Sequence, residues 1–219
     1  MAQFPSTQWS LIQRSGTSSA RREAFGELAR TYRTAILAFF RARMDASAAE
    51  DATQSFLTAS YEHAWWSRAD ADVGSFRGFL LLLLRRHLGH LRQRQDGQIE
   101  LDAELATPEP SADQQFDARF ALTLTGRAVE SLRADYRERE RGELFERLLT
   151  ILGSPPAHGE LQSIASELRM PPNTLTVELQ RLRKRLREQL RAQLRELCAD
   201  AETFAGEWSS LQRILGGTD

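Results

Sequence analysis

Apolar residues recur every three or four positions through most of this chain. No stretch of useful length shows the period of two that a half-buried strand requires. The pattern therefore predicts helices. Phe25, Leu28, Ala29, Tyr32, Ile36, Phe39 and Phe40 predict one from Arg21 to Met44. Asp45-Ala46-Ser47 interrupts it, with Ser47 placed to cap a second helix from Ala48 to about Trp66. Asp70 to Gly74 reads as a loop. A third helix then runs from Ser75 to about Gln95, apolar in its first half and basic at its end. Helical periodicity returns from Phe120 to Leu152, and Gly153-Ser154-Pro155-Pro156-Ala157 breaks it.

The most telling stretch follows, from Glu160 to Leu194. Ile164, Ala165 and Leu168 share one face of a short helix, and Arg169-Met170-Pro171-Pro172 makes a tight break. Leu175, Leu179, Leu182 and Leu186 then form the stripe of a longer helix. The two prolines suit a helix start, and Asn173 or Thr174 can cap it. This is the pattern of a helix-turn-helix. With the leucines inward, Asn173, Thr174, Thr176, Val177, Gln180, Arg181 and Lys184 face outward. The polar residues near the helix start suit base edges, and the basic ones behind them suit phosphates. Between Arg169 and Arg191 seven basic residues stand against Glu178 and Glu188, a local balance of +5. A solvated amphipathic helix with a basic face would look the same.

Composition changes this picture little. Net charge is −1, so binding to nucleic acid must come from local patches rather than bulk attraction. Lys184 is the only lysine, and the arginines that replace lysine elsewhere suit bidentate phosphate contacts. The single Cys198 excludes an internal disulfide and a cysteine metal site. The four histidines lack zinc-ligand spacing; His87 and His90, three apart, read as core-edge or phosphate-facing. No cofactor is implied. Leu80 to Leu84 is too short to span a bilayer, and no secretory leader pattern is visible, so a cytoplasmic protein without membrane contact is expected. No phosphate loop, convergent carboxylate pair or nucleophile elbow supports an enzyme.

Asp96 to Asp117 differs from its surroundings. It holds seven acidic residues, no basic one, and Pro108 and Pro110, the composition of a linker. The expected architecture is all-α, two small helical domains joined by an acidic linker. A leader spans residues 1–19, the first domain 20–95, the linker 96–117, the second domain 118–194 and a C-terminal extension 195–219. Within the extension, Trp208, Leu211 and Ile214 mark an amphipathic segment from Phe204 to Leu215.

Several motifs resemble one family in order and spacing. Glu50-Asp51-Ala52-Thr53-Gln54-Ser55-Phe56, then Phe76-Arg77-Gly78-Phe79-Leu80, then Arg85-Arg86, resemble region two of bacterial extracytoplasmic-function (ECF) sigma factors of the sigma-70 family. Residues 160–191, with the basic run Leu182 to Arg187, resemble their region four. The leader Phe4-Pro5-Ser6-Thr7-Gln8-Trp9-Ser10 resembles that of a branch switched on by Ser/Thr protein kinases. The resemblance implies a subunit that binds core RNA polymerase, recognises promoter DNA and supports melting and transcription initiation. It implies no catalytic residue. It also implies that the acidic linker threads the polymerase's RNA path, where composition alone indicates only a solvated tether.

The same resemblance assigns residues. Asp51, Gln54, Ser55 and Thr58 share a helix stripe that would meet the polymerase clamp helices, while region four would meet the flap. Ser55 departs from the family, which carries an acid there. A phosphate on Ser55 or Thr58 would restore the charge, and Thr53, off the stripe, is a third candidate. Arg77, Arg85, Arg86 and Arg92, with Arg94, remain for phosphates or single-stranded DNA of the upstream-ten element. The preceding loop from Trp66 to Ser75 would hold a flipped base. Trp65, Trp66 and Arg68 are candidates for touching that base; a tryptophan there suits the core equally. Two other readings compete: a stand-alone helix-turn-helix transcriptional regulator, and a helical adaptor without DNA. Neither needs the Glu50–Phe56 stripe together with Phe76–Leu80.

Overall fold

The computed structural model describes residues 18–65, 74–95, 111–153 and 159–216, with the backbone alone for 18–21, 94 and 95. Residues 1–17 of the expected leader, 66–73, 96–110 of the expected linker, 154–158 and 217–219 lie outside the described residues, and with them Trp66 and Arg68. Eight helices make up the described chain: α1 (Ser18–Arg41), α2 (Ala46–Glu62), α3 (Phe76–Gln95), α4 (Ala112–Glu138), α5 (Gly142–Thr150), α6 (Glu160–Glu167), α7 (Pro172–Arg195) and α8 (Ala201–Ile214). The all-α class expected from periodicity is what the structure has. No described helix is long and apolar enough to cross a membrane.

The helices form two compact units. One holds residues 1–123 and 194–219, the other 124–193. The C-terminal extension therefore belongs with the first domain, where the sequence reading left it separate. In the first unit, Leu28, Tyr32, Ala35, Ile36, Phe39 and Phe40 of α1 are buried. So are Ala49, Ala52 and Phe56 of α2, and Phe76, Phe79, Leu80, Leu83, Leu84 and Leu88 of α3. Each set follows the three-and-four spacing of one helix face. Tyr32 stacks on Phe120 of α4, centroids 5.1 Å apart, and tilts against Phe76 at the same distance.

Local capping differs from expectation in two places. Asp45, not Ser47, caps α2: its carboxylate accepts from Ser47 N and Ala48 N at 2.9 and 3.0 Å. A carboxylate one residue before the first turn reaches two orphan N–H groups, which Ser47 inside the helix does not. The helix ends at Glu62, short of Trp66, because Ala64 adopts a left-handed conformation at φ 50°. The end of the supposed linker is helix. Ser111 Oγ accepts from Gln114 N at 3.3 Å and Gln114 Oε1 accepts from Ser111 N at 2.8 Å, a reciprocal capping box that starts α4. Phe116 is fully buried there. Acidity drew the boundary at 117, but an apolar residue with a place in the core outweighs it.

The second unit buries Leu132, Tyr136, Leu144, Phe145, Leu148, Ile151, Ile164, Ala165, Leu175, Leu179 and Leu182 in one core. The helical periodicity from Phe120 to Leu152 is carried by two helices, α4 and α5. Glu140, at φ 56°, ends α4, with Arg141 N bonded to Tyr136 O at 2.8 Å and Glu140 N to Arg137 O at 3.0 Å. Arg169, at φ 52°, ends α6 the same way, through Met170 N to Ala165 O at 2.9 Å and Arg169 N to Ser166 O at 3.1 Å. Both are Schellman closures with a side-chain-bearing residue where glycine is usual. The turn after Arg169 leads directly to Pro172 in the first turn of α7, where its missing N–H costs nothing.

Leu179 is 3 % exposed in this core. Leu179→Ala is expected to destabilise the second unit by roughly 2–5 kcal/mol. Urea unfolding checks this; a change under about 0.5 kcal/mol would be that of a surface residue.

Candidate functional site

On α2, Asp51, Gln54 and Thr58 are exposed along one stripe, as their spacing required. Ser55 is only half-exposed. Its Oγ lies 2.8 Å from Nε2 of His87 on α3. His87 is 8 % exposed and stands edge-on to Phe40, Phe56 and Trp65, with centroids 5.5 to 6.2 Å away. Trp65 thus belongs to the aromatic cluster around that histidine. A hollow of about 630 Å³ beside it is lined by Gln54, Ser55, Thr58, Glu62, His63 and His90, among others. Ser55 is therefore a hydrogen-bonded serine, and its partner, thirty-two residues away on another helix, sits at the core edge as His87 was read to do. Thr53 is corrected as a modification candidate. It is fully buried and its hydroxyl donates to Ala49 O at 2.8 Å, so no enzyme reaches it without unfolding α2.

Arg86 and Arg92 are exposed on α3, and Arg85 is exposed while paired with Asp113 of α4. Arg77 is different. Its Nε and Nη2 donate to both oxygens of Glu207 on α8 at 2.6 and 3.0 Å, and its Nη1 donates to Asp117 of α4 at 2.6 Å. The side chain is 23 % exposed and Glu207 10 %. The phosphate contact expected of Arg77 is thereby corrected to an internal brace, because two carboxylates already occupy the faces a phosphate would take. Burial opposes the charge of Arg77, yet the hydrogen bonds and charges of Glu207 and Asp117 together outweigh it and push the guanidinium's proton affinity upward. Asp117 moves upward too: its burial, helped by the nearby charges of Glu207 and Asp113, prevails over the pull of Arg77.

Ser75 completes this brace. Its Oγ accepts from Gly78 N at 3.0 Å, capping α3, and donates to Glu207 Oε1 at 2.7 Å. Beside it the chain pairs with the segment after α7. Phe76 N bonds to Leu197 O at 2.9 Å and Ala199 N to Gly74 O at 2.8 Å, an isolated antiparallel bridge of Ser75 with Cys198. Gly74 takes φ 79° to make this turn. Glu207 was the missed residue; the amphipathic segment around Trp208 was visible, but its partner was not.

On α7, Asn173, Thr174, Val177, Gln180, Arg181 and Lys184 are exposed. Thr176 is half-buried, its hydroxyl donating to Pro172 O at 3.1 Å. The basic run divides by environment. Arg183 donates to the carbonyls of Ile151 and Leu152 at 3.4 Å, satisfying the end of α5. Arg185 donates to Asp135 at 2.8 Å. Arg181 is exposed but pairs at 2.9 Å with Glu178, which is 4 % exposed and also takes Arg141 at 3.0 Å. Glu178, counted in the sequence only as an offsetting charge, is a buried acceptor for two arginines.

No protein-family model matches the chain, and no curated protein or solved structure matches it.

Two outcomes follow from the brace. Glu207→Ala is expected to destabilise the first unit by about 2–3 kcal/mol, less than the 3–5 of a wholly uncompensated buried charge because Asp117 remains. A loss below about 0.5 kcal/mol in urea unfolding would make it an ordinary surface pair. Cys198 beside it is a proton reporter. Burial first, then the charges of Glu207 and Asp200, push its thiol up to about 12. Since only the thiolate reacts, alkylation at pH 8 should run at least about a hundredfold slower than in the urea-unfolded chain. It should accelerate with pH toward about 12. Equal rates in the two states would show an open thiol.

Proposed function

We propose that this chain is an ECF-type sigma factor. It binds core RNA polymerase through the clamp helices and flap, recognises promoter DNA and supports melting and initiation in the cytoplasm, without enzymatic activity of its own. The observation that carries the reading is the pairing of two surfaces in one chain. The first is the exposed Asp51, Gln54 and Thr58 stripe with the half-exposed Ser55 on α2. The second is the exposed polar start of α7, reached through a tight turn from α6, which supports reading the pair as a helix-turn-helix. A stand-alone regulator needs the second surface but not the first.

In this reading Asn173, Thr174, Val177 and Gln180 meet base edges, and Lys184 and Arg181 meet phosphates. Arg85, Arg86 and Arg92 meet the upstream-ten strand, while Arg77 braces the helix that carries them. A Ser/Thr protein kinase acts on the stripe. Thr58 is the more open acceptor, and modification of Ser55 displaces its hydrogen bond to His87. A phosphate on either adds about −1.5 to −2 charges where clamp arginines are expected.

Run-off transcription with core polymerase tests the reading, using the protein before and after kinase treatment. Transcripts should depend on the chain and rise on phosphorylation. Thr58→Glu should recover part of the gain, having one charge where phosphate has nearly two, and the gain should shrink as salt rises. Gln180→Ala should weaken promoter binding by about 1–3 kcal/mol without unfolding the second unit. Promoter binding that is equally tight without polymerase would favour the stand-alone regulator.

A further inference from the structure

Four arginines around Tyr136 form an arrangement that a recognition helix alone does not require. Asp135 pairs with Arg139 Nη2 and Arg185 Nη1, each at 2.8 Å. Glu178 pairs with Arg141 Nη2 at 3.0 Å and Arg181 Nη1 at 2.9 Å. The Tyr136 ring lies 5.8 Å from the guanidinium carbon of Arg141 and 5.7 Å from that of Arg185. Asp135 and Tyr136 of α4 and Glu178 of α7 thus hold four guanidiniums, two from the turn after α4 and two from α7. They line a concavity of about 440 Å³ to which Lys184 adds a fifth cation.

The design is that of a preordered anion seat. Glu178 has 6 % of its side chain exposed, while Arg139, Arg141 and Arg181 have 54, 43 and 66 %. The acceptor is buried and the cations reach solvent. Each arginine carries five N–H donors and gives one nitrogen to its carboxylate, so donors remain for a ligand. The five cations exceed Asp135, Glu178 and Glu188 by two charges. Arginines ordered before a ligand arrives lose little further side-chain entropy on binding it, and their forks match phosphate oxygens. Arg181 and Lys184 belong both to this concavity and to the exposed face of α7, so the nearest phosphates are those of a duplex lying on that face.

We propose that this concavity seats the sugar-phosphate backbone of duplex DNA beside the bases under α7, with Arg139, Arg141 and Arg185 as backbone contacts. The inference rests on the DNA-binding half of the proposed function and not on polymerase binding. The full chain is titrated into a labelled duplex of arbitrary sequence, about 30 base pairs long, and anisotropy is read at a series of salt concentrations. Arg139→Gln with Arg185→Gln should lower the salt slope by about 2, at roughly 0.9 per phosphate lost, and weaken binding roughly tenfold. Arg139→Lys with Arg185→Lys should keep the slope, since charge is retained. Should the glutamine pair fail to fold, Arg139→Gln alone carries the test, with a slope change of about 1. A folded glutamine variant with unchanged slope overturns the proposal. So does wild-type protein that binds no duplex at low salt. Pyrophosphate that binds the site tightly without competing with the duplex overturns it too, in favour of a small phosphate ligand. Co-purification with core polymerase is scored separately. A chain that fails it but shows the slope change keeps the backbone seat and loses the sigma-factor reading.

Discussion

One guanidinium holds the first unit together at the place where three distant stretches of chain meet. Arg77, at the start of α3, is largely withdrawn from water, and its charge is tolerable only because Glu207 and Asp117 surround it. Removing a charge from water costs several kcal/mol unless charged hydrogen bonds replace hydration. The arrangement therefore demands that α4 begin early enough to present Asp117 and that α8 return to present Glu207. Ser75 serves both needs at once, capping α3 and donating to Glu207. The short bridge through Phe76, Leu197, Gly74 and Ala199 fixes the two backbones at that point.

The second unit repeats the theme with the signs exchanged. There buried or half-buried carboxylates gather arginines, two each at Glu178 and Asp135. The basic character of α7 is consequently unequal along its length. Some arginines are structural, as Arg183 is at the end of α5, and others are ordered but open. Counting charges on a helix cannot separate these, because separation depends on which acceptor lies within about 3 Å in another segment.

The α2 surface shows how tertiary packing narrows a set of chemically equivalent hydroxyls. Thr53, Ser55 and Thr58 lie within six residues, yet one is sealed in the core, one is bonded to a buried histidine and one is open. Helical spacing had already set Thr53 off the stripe. The histidine was beyond reach of spacing, since it comes from another helix.

The sequence by itself determined the all-helical class, the faces that became cores and the tight turn before α7. These follow from apolar period, capping chemistry and proline, each readable within a few residues. Leu175, Leu179 and Leu182 are buried and Asn173, Thr174, Val177 and Gln180 exposed, as a single stripe dictated. It could also have yielded the true start of α4, for Ser111 and Gln114 spell a capping box that acidity obscured. Only the tertiary structure decided the membership of α8, the fate of Arg77, the partner of Ser55 and the roles of Glu178 and Asp135. Those depend on pairs 3 to 132 residues apart, and the energy of a charge depends on its depth and its neighbours in space. Even the nearest of these pairs, Glu178 with Arg181, takes its meaning from Arg141 and from a burial that no local pattern records.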